Sequence, residues 1–132
     1  MSHPRSRYNI FVVDDEYIIA STLAVILRGE GFDAMPFSKP LDALHAIGFD
    51  TPDLLLSDVV MPMMSGVDLA IEVLKHCPAC RVLLFSGAVS ADLLIAAKAN
   101  GYQFDLLSKP AHPRHLLRTV QNVLDAPNRR EQ

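Results

Sequence analysis

The stretch LLLSDVVMPMMSG, residues 54–66, contains the pattern that decides the fold. It begins with three leucines, and an uninterrupted apolar run of this kind is typical of a central strand that helices cover on both faces of a parallel sheet. Asp58 follows the run, and Met61-Pro62 and Gly66 indicate a tight loop. Beyond Gly66, apolar residues recur at the i, i+3, i+4, i+7 spacing of an amphipathic helix. The stretch therefore predicts a strand, an acidic residue at its carboxyl end, and a helix.

Further apolar runs repeat this alternation of strand and helix along the chain. Five runs that alternate with five helical patterns favour an α/β domain with an open, doubly wound, five-stranded parallel sheet. The run that contains Pro36 is the weakest, and it suits an edge of the sheet because proline cannot complete a hydrogen-bond ladder. The predicted strands are Asn9–Val13, Phe32–Pro36, Asp53–Ser57, Arg81–Phe85 and Phe104–Leu107.

Glycine and proline residues mark the ends of several predicted helices. Gly29 and Gly31 indicate the end of the first helix, and Asn100-Gly101 the end of the fourth. Pro40 and Pro113 suit the first turns of the second and fifth helices, because the N–H that proline lacks has no helical partner there.

Composition and charge limit the classes of function. The 132 residues, half of them hydrophobic, suit one compact domain, which we place at residues 8–125 between short polar tails at 1–7 and 126–132. The net charge of −3 argues against direct nucleic acid binding, for which a basic surface is typical. No apolar run approaches the ~20 residues that cross a bilayer, and the amino terminus lacks an apolar signal core. We therefore expect a cytoplasmic protein without a membrane segment.

Cys77 and Cys80 form a C-P-A-C pair that invites a redox interpretation. A thioredoxin-like pair opens a helix just after a strand, whereas this pair closes a predicted helix. With His76 the pair offers three metal ligands, but structural zinc normally has four. We interpret both residues as structural loop cysteines.

Polar residues end four of the five apolar runs. Open α/β sheets bind ligands beyond the carboxyl ends of their strands, so these residues are expected to gather on one rim. The four groups are Asp14-Asp15-Glu16, Ser57-Asp58, Ser86-Gly87 and Ser108-Lys109-Pro110. A single acidic residue there could serve only as a charge at a helix amino terminus. Four ends with complementary chemistry indicate a functional site.

Three carboxylates in one crevice require a neutralising cation. Like charges at close range cost several kcal/mol in a low dielectric unless a cation or a proton balances them. Oxygen ligands without histidine or cysteine favour Mg²⁺ or Mn²⁺, which leave coordination places for phosphoryl oxygens. The chain lacks the glycine-rich loops that hold nucleotides, so a small phosphodonor or a phosphorylated protein fits better.

The ordered set of motifs resembles the receiver domain of two-component response regulators. It comprises Asp14-Asp15, Asp58 within D-x-x-M-P-x-x-x-G, Ser86-Gly87 and Lys109-Pro110. Each motif alone is common, but the ordered set is highly specific and spans residues 8–125. The resemblance implies a flavodoxin-like sheet with the strand order 2-1-3-4-5 and five helices.

The resemblance also implies a set of metal ligands. Asp15 and Asp58 would bind Mg²⁺ directly, together with the backbone carbonyl of Val60. Asp14 would act mainly through a bound water. Mn²⁺ is the alternative ion.

For the phosphoryl group, the resemblance implies transfer from a phosphohistidine of a sensor histidine kinase or phosphotransfer protein to Asp58. Lys109 would neutralise charge on the transferring oxygens, and the hydroxyl of Ser86 would donate to one of them. Such a domain catalyses only its own phosphorylation and dephosphorylation. It signals by conformational change and by docking to a downstream protein, which the sequence does not name.

Three positions bear on the switch and on the hydrolysis rate that the resemblance implies. The family often has Tyr or Phe three residues before the lysine, whereas this chain has Leu106, so we expect phosphorylation to act mainly through loop and helix movement between Ser86 and Asn100. The family tunes the hydrolysis of its aspartyl phosphate through the residues two places after the acceptor and two places after the hydroxyl residue. In this chain those residues are Val60 and Ala88. Neither can orient a water by hydrogen bonding, so we hypothesise a long-lived phosphoryl state.

Two alternatives stay open. A metal-dependent phosphatase would often carry D-x-D-x-[TV], which the run 14–17 does not supply, and a degenerate receiver that only docks would usually lack Asp58 or Lys109. No output domain follows Leu124, so the chain either signals by docking or is a receiver from a longer protein. The apolar run 93–95 exceeds what one buried helix face needs. Full burial of the run in the core is the first explanation, and an exposed surface for a partner or a homodimer is the alternative.

Overall fold

The computed structural model describes residues 7–86, 91–102, 104–109 and 111–127. Within these ranges, five strands and five helices alternate. In that part of the chain, no helix is both long enough and apolar enough to cross a membrane. The elements are β1 Asn9–Val13, α1 Tyr17–Gly29, β2 Asp33–Phe37, α2 Pro40–Ala46, β3 Leu54–Asp58, α3 Gly66–His76, β4 Arg81–Ser86, α4 Ala91–Ala99, β5 Asp105–Ser108 and α5 Pro113–Asp125.

The strands form one parallel sheet in the order β2-β1-β3-β4-β5. The predicted five-stranded, doubly wound sheet and its strand order are confirmed. The strand that contains Pro36 lies at an edge and pairs only with β1, as its proline predicted.

Two hydrophobic cores cover the two faces of the sheet, which explains why the central runs are continuous. In β3, Leu54 and Leu56 pack with residues of α1 and α5, whereas Leu55 packs with residues of α2 and α3. All three leucines are buried. Since burying one leucine side chain stabilises the fold by roughly 1.5–3 kcal/mol, both faces of β3 contribute strongly.

Four strands end one residue later than predicted, at Phe37, Asp58, Ser86 and Ser108. Pairing with neighbouring strands extends them, because the Val59 N–H donates to the Phe85 carbonyl at 3.2 Å, beyond the predicted end of β3. Asp58 is therefore the last residue of a strand rather than the first residue of a loop. The backbone that carries this carboxylate is therefore held by its pairing with β4.

The connection from β3 to α3 brings two backbone segments very close together. The N–H of Gly66 donates to the carbonyl of Val59 at 2.7 Å. A Cβ atom at Gly66 would overlap the backbone carbonyl of Asp58, so only glycine fits. The hydroxyl of Ser65 then accepts from the N–H of Asp68 and caps α3.

Replacing Gly66 by alanine should therefore destabilise the fold. We expect Gly66→Ala to lower the free energy of unfolding by ~2 kcal/mol or more, because the added methyl group forces the backbone of Asp58 to move. Gly29→Ala is the matched control, since nothing lies within 4 Å of a Cβ there and the residue ends a helix. Denaturant titration measures both. Equal stability of the two variants would contradict the close approach.

Candidate functional site

The predicted site residues gather at the carboxyl end of the sheet. Asp14 follows β1, Asp58 ends β3, Ser86 ends β4 and Lys109 follows β5. Asp15 comes next after Asp14, in the connection to α1. The structure thus brings together residues from four separate stretches of the sequence.

The three aspartates form a carboxylate cluster. Asp14, Asp15 and Asp58 each offer a carboxylate oxygen within 4.8 Å of the other two. Asp14 is buried, Asp58 is half-buried and Asp15 is exposed. Carboxylate oxygens that converge at this range are a suitable donor set for a hard divalent cation such as Mg²⁺.

Asp14 uses both of its carboxylate oxygens inside the protein. One oxygen accepts from the N–H of Glu16 at 2.9 Å, and the other accepts from Nζ of Lys109 at 3.1 Å. These bonds satisfy a carboxylate that is only 1 % exposed. Asp14 is thereby fixed in place beside Asp58.

Lys109 links two of the aspartates. Its Nζ lies 3.1 Å from Oδ2 of Asp14 and 3.3 Å from Oδ2 of Asp58. The ammonium group also lies 5.1 Å from the ring centroid of Phe85. Phe85 was assigned to a strand and not to the site in the sequence analysis. Its position directly before Ser86 was the available signal.

The charges in the site alter the pKa values of Asp58 and Lys109. Burial raises the pKa of Asp58, and the carboxylate of Asp14 raises it further, which outweighs the opposing effect of Lys109. Burial alone would lower the pKa of Lys109, but its hydrogen bonds and charge pairs with Asp14 and Asp58 raise it above its usual value. Lys109 therefore remains protonated, and burial keeps the pKa of Asp58 raised despite the ammonium beside it.

Backbone groups hold Asp58 in place. The hydroxyl of Ser57 donates to the carbonyl of Asp58 at 2.9 Å, and the backbone of Val60 hydrogen-bonds its carboxylate. Ser57 is fully buried, and its hydrogen bond to the backbone of Asp58 is a contact that the sequence alone does not predict. The N–H of Lys109 donates to the carbonyl of Ser86 at 2.8 Å, which joins the ends of β4 and β5. Three further residues named above lie outside the described residues: Gly87, Ala88 and Pro110.

Leu106 lies where the family often has an aromatic residue. Its side chain is 50 % exposed. Phe104 stacks on Tyr102 with a centroid distance of 6.0 Å, and both pack against the core beneath α2 and α3. Leu106 itself cannot act as an aromatic switch. The ring of Phe104 contacts Tyr102 and the core instead.

The cysteine pair lies apart from the carboxylate cluster. Cys77 follows the last residue of α3, as predicted, and Cys80 is buried. Burial raises the pKa of both thiols, which disfavours the reactive thiolate. The ring of His76 contacts the carbonyl of Glu72 at 3.1 Å. These contacts favour the structural interpretation of the pair.

Comparisons with known proteins place this site in a family. The family model described as "Response regulator receiver domain" matches residues 10–121. The DNA-binding response regulator MtrA of Mycobacterium tuberculosis is 31% identical over 115 residues, which make up 87% of this chain and 50% of MtrA. The DNA-binding transcriptional regulator NtrC of Escherichia coli is 34% identical over 101 residues, 76% of this chain and 21% of NtrC. The chain thus spans about half the length, or less, of these curated relatives.

Solved structures give the same result. A CheY-like response regulator receiver domain protein from Methanospirillum hungatei has a TM-score of 0.83 and 27% identity, with 91% of this chain and 95% of that chain covered. The chemotaxis protein CheY4 of Vibrio cholerae has a TM-score of 0.81 and 26% identity, with 89% and 99% covered. The chain therefore belongs to the family of response regulator receiver domains of two-component systems.

Proposed function

We propose that residues 8–125 form a phosphoacceptor receiver domain that takes a phosphoryl group onto Asp58 in a Mg²⁺-dependent reaction. The donor is a phosphohistidine of a sensor histidine kinase or phosphotransfer protein. The observation that carries the proposal is the position of Asp58 within 4.8 Å of two further carboxylates and 3.3 Å from the ammonium of Lys109. This arrangement combines a nucleophile, a metal site and a fixed positive charge.

The donor set fits a divalent cation. Asp15 and Asp58 are the direct carboxylate ligands in this proposal, with the backbone carbonyl of Val60 as the third protein ligand. Asp14 acts through a water, since both of its oxygens already accept hydrogen bonds. When bound, Mg²⁺ or Mn²⁺ neutralises charge on the phosphoryl oxygens.

The residues of the chain supply the nucleophile and the remaining positive charge. A carboxylate oxygen of Asp58 attacks phosphorus and forms an O–P bond while the P–N bond to the donor imidazole breaks, and the imidazole leaves with the bonding electron pair. Lys109 and the hydroxyl of Ser86 contact phosphoryl oxygens. Positioning and electrostatic stabilisation account for most of the catalysis in such transfers. In this proposal the domain catalyses only its own phosphorylation and dephosphorylation.

The output is a change in docking to a downstream protein in the cytoplasm. The names of MtrA and NtrC describe DNA binding by longer proteins, whereas this chain has a net charge of −3, which favours a protein partner. Ile95 on α4 is 66 % exposed and offers an apolar contact for that partner or for a second copy. The side chains of Leu93 and Leu94 lie outside the described residues.

The first prediction concerns the phosphorylation itself. Incubation with Mg²⁺ and acetyl phosphate should add ~80 Da to the intact mass, and Asp58→Ala should abolish the adduct. Asp50→Ala, at an exposed aspartate after α2, is the control and should be phosphorylated like the wild type. Turnover of acetyl phosphate without an adduct would indicate a phosphatase. Neither adduct nor turnover would indicate a degenerate receiver that only docks.

The second prediction concerns the charge of Asp58. Because its pKa is raised in the folded state, the ionised form opposes folding, and this cost is present at neutral pH and disappears as the pH falls through that pKa. Without metal, Asp58→Asn should therefore raise the melting temperature.

Mg²⁺ should then stabilise the wild type more than Asp58→Asn, because the variant offers one negative ligand fewer. Asp50→Asn serves as the control and should change neither value. Thermal melts with Mg²⁺ and with a chelator measure both effects. A lower melting temperature for metal-free Asp58→Asn would contradict a raised pKa of Asp58 in the folded protein.

The third prediction concerns the lifetime of the phosphoryl group. Val60 is 58 % exposed beside Asp58, and its apolar side chain cannot orient an attacking water. We expect the radiolabelled protein to keep its label for minutes or longer without a phosphatase, and Val60→Asn to shorten that time. Val25→Asn, at a similarly exposed valine, is the control. Loss of label from the wild type within seconds would overturn the expectation.

A further inference from the structure

Phe85 lies directly beside the phosphoacceptor in the sheet. Its Cα pairs with that of Asp58 in β3 on one side and with that of Leu107 in β5 on the other. Its N-terminal neighbour Leu84 faces the opposite core. Phe85 belongs to the core formed with α1 and α5, and its side chain is only 6 % exposed.

The strand register places Phe85 and Lys109 on one face of the sheet. Paired residues of neighbouring parallel strands point to the same face, and side chains alternate along each strand. Asp58 therefore shares the face of Phe85, and Lys109 follows Leu107 by two residues on that same face. The ring of Phe85 thus forms the apolar wall of the crevice in which Lys109 meets Asp58.

The ammonium of Lys109 lies over this ring. The distance from Nζ to the ring centroid is 5.1 Å, which is within the ~6 Å range of a cation–π interaction. Two carboxylates, those of Asp14 and Asp58, hold the same ammonium at 3.1 and 3.3 Å. Three groups therefore fix the end of a flexible four-carbon side chain that is 21 % exposed.

We propose that Phe85 is a positioning residue for Lys109, whose ring face keeps the ammonium directed at the phosphoryl group on Asp58. This inference rests on the proposed function. Forming the acyl phosphate converts the Asp58 carboxylate, one of the two negative partners of Lys109, into a mixed anhydride. The contact with Phe85 does not change in that step, so the ring retains the ammonium beside the phosphoryl oxygens.

A purely structural role for Phe85 predicts different behaviour. If the ring only filled the core, its volume would matter and its electrostatic quadrupole would not. Replacing Phe85 by 3,4,5-trifluorophenylalanine keeps the ring and weakens the negative face that attracts a cation. Phe85→Leu removes the ring and keeps an apolar side chain. Phe32→Leu is the matched control, since Phe32 is 7 % exposed in the same core and lies in the connection between α1 and β2.

The first measurement locates Lys109 without any phosphorylation. The chain has four lysines, so a carbon–proton spectrum of ¹³C-lysine-labelled protein is sparse, and the variant Lys109→Arg assigns the signal of interest. The ε-methylene protons of Lys109 should be shifted upfield by the ring current of Phe85. Phe85→Leu should abolish the shift, and Phe32→Leu should preserve it. An unshifted wild-type signal would overturn the inference whatever the fate of the proposed function.

The second measurement compares the maximal rates of phosphorylation by saturating acetyl phosphate with Mg²⁺. Phe85→Leu should slow this rate about three- to thirty-fold, while Phe32→Leu stays within about twofold of the wild type. The trifluorinated ring should fall between the wild type and Phe85→Leu. A trifluorinated variant that reacts at the wild-type rate would show that Phe85 acts only by packing in the core. A wild-type protein that forms no adduct would instead refute the proposed function, and the lysine spectrum would still decide the position of Lys109.

Discussion

The structure depends on the balance of charge where three strands end. Asp14, Asp15 and Asp58 converge within 4.8 Å, and Lys109 provides one positive charge against their three negative ones. Two negative charges therefore remain uncompensated, and burial adds to the cost of charge by raising the pKa of Asp58 despite the neighbouring ammonium. A divalent cation would complete the balance, and phosphoryl transfer would bring further negative charge to the same place. In the proposed function, a bound cation and a phosphoryl group on Asp58 would therefore favour each other.

The parallel sheet holds these charges together against their repulsion. Lys109 and Asp14 are 95 residues apart in the sequence, and each lies just beyond a strand that is paired within the sheet. The carbonyl of Asp58 is fixed on one side by the hydroxyl of Ser57 and approached on the other by Gly66. The cost of assembling like charges is therefore met by the backbone ladder and the two cores, which bury the strands on both faces.

The sequence predicted the class of fold and the positions of the charged residues because both depend on local patterns. A continuous apolar run such as 54–56 indicates a strand buried on both faces, and an aspartate after it indicates the rim. The strand order came from the resemblance, since no single run specifies its neighbours. Strand ends were placed one residue early because the last ladder bonds depend on a partner strand. For a related reason the sequence indicates only that Phe85 lies in a strand, because its contact with Lys109 depends on the register between β4 and β5.

Leu106 limits the ways in which a chemical change at Asp58 could be transmitted to the protein surface. Its Cα pairs with that of Leu84, so its side chain faces the α2 and α3 side of the sheet, away from Phe85 and Lys109. It is half exposed and has no ring whose rotation could report on the site. The backbone links the ends of β4 and β5 directly, because the Lys109 N–H donates to the Ser86 carbonyl at 2.8 Å. The two residues proposed to contact the phosphoryl group are therefore joined by a backbone hydrogen bond. A displacement of either residue would act on the ends of both β4 and β5.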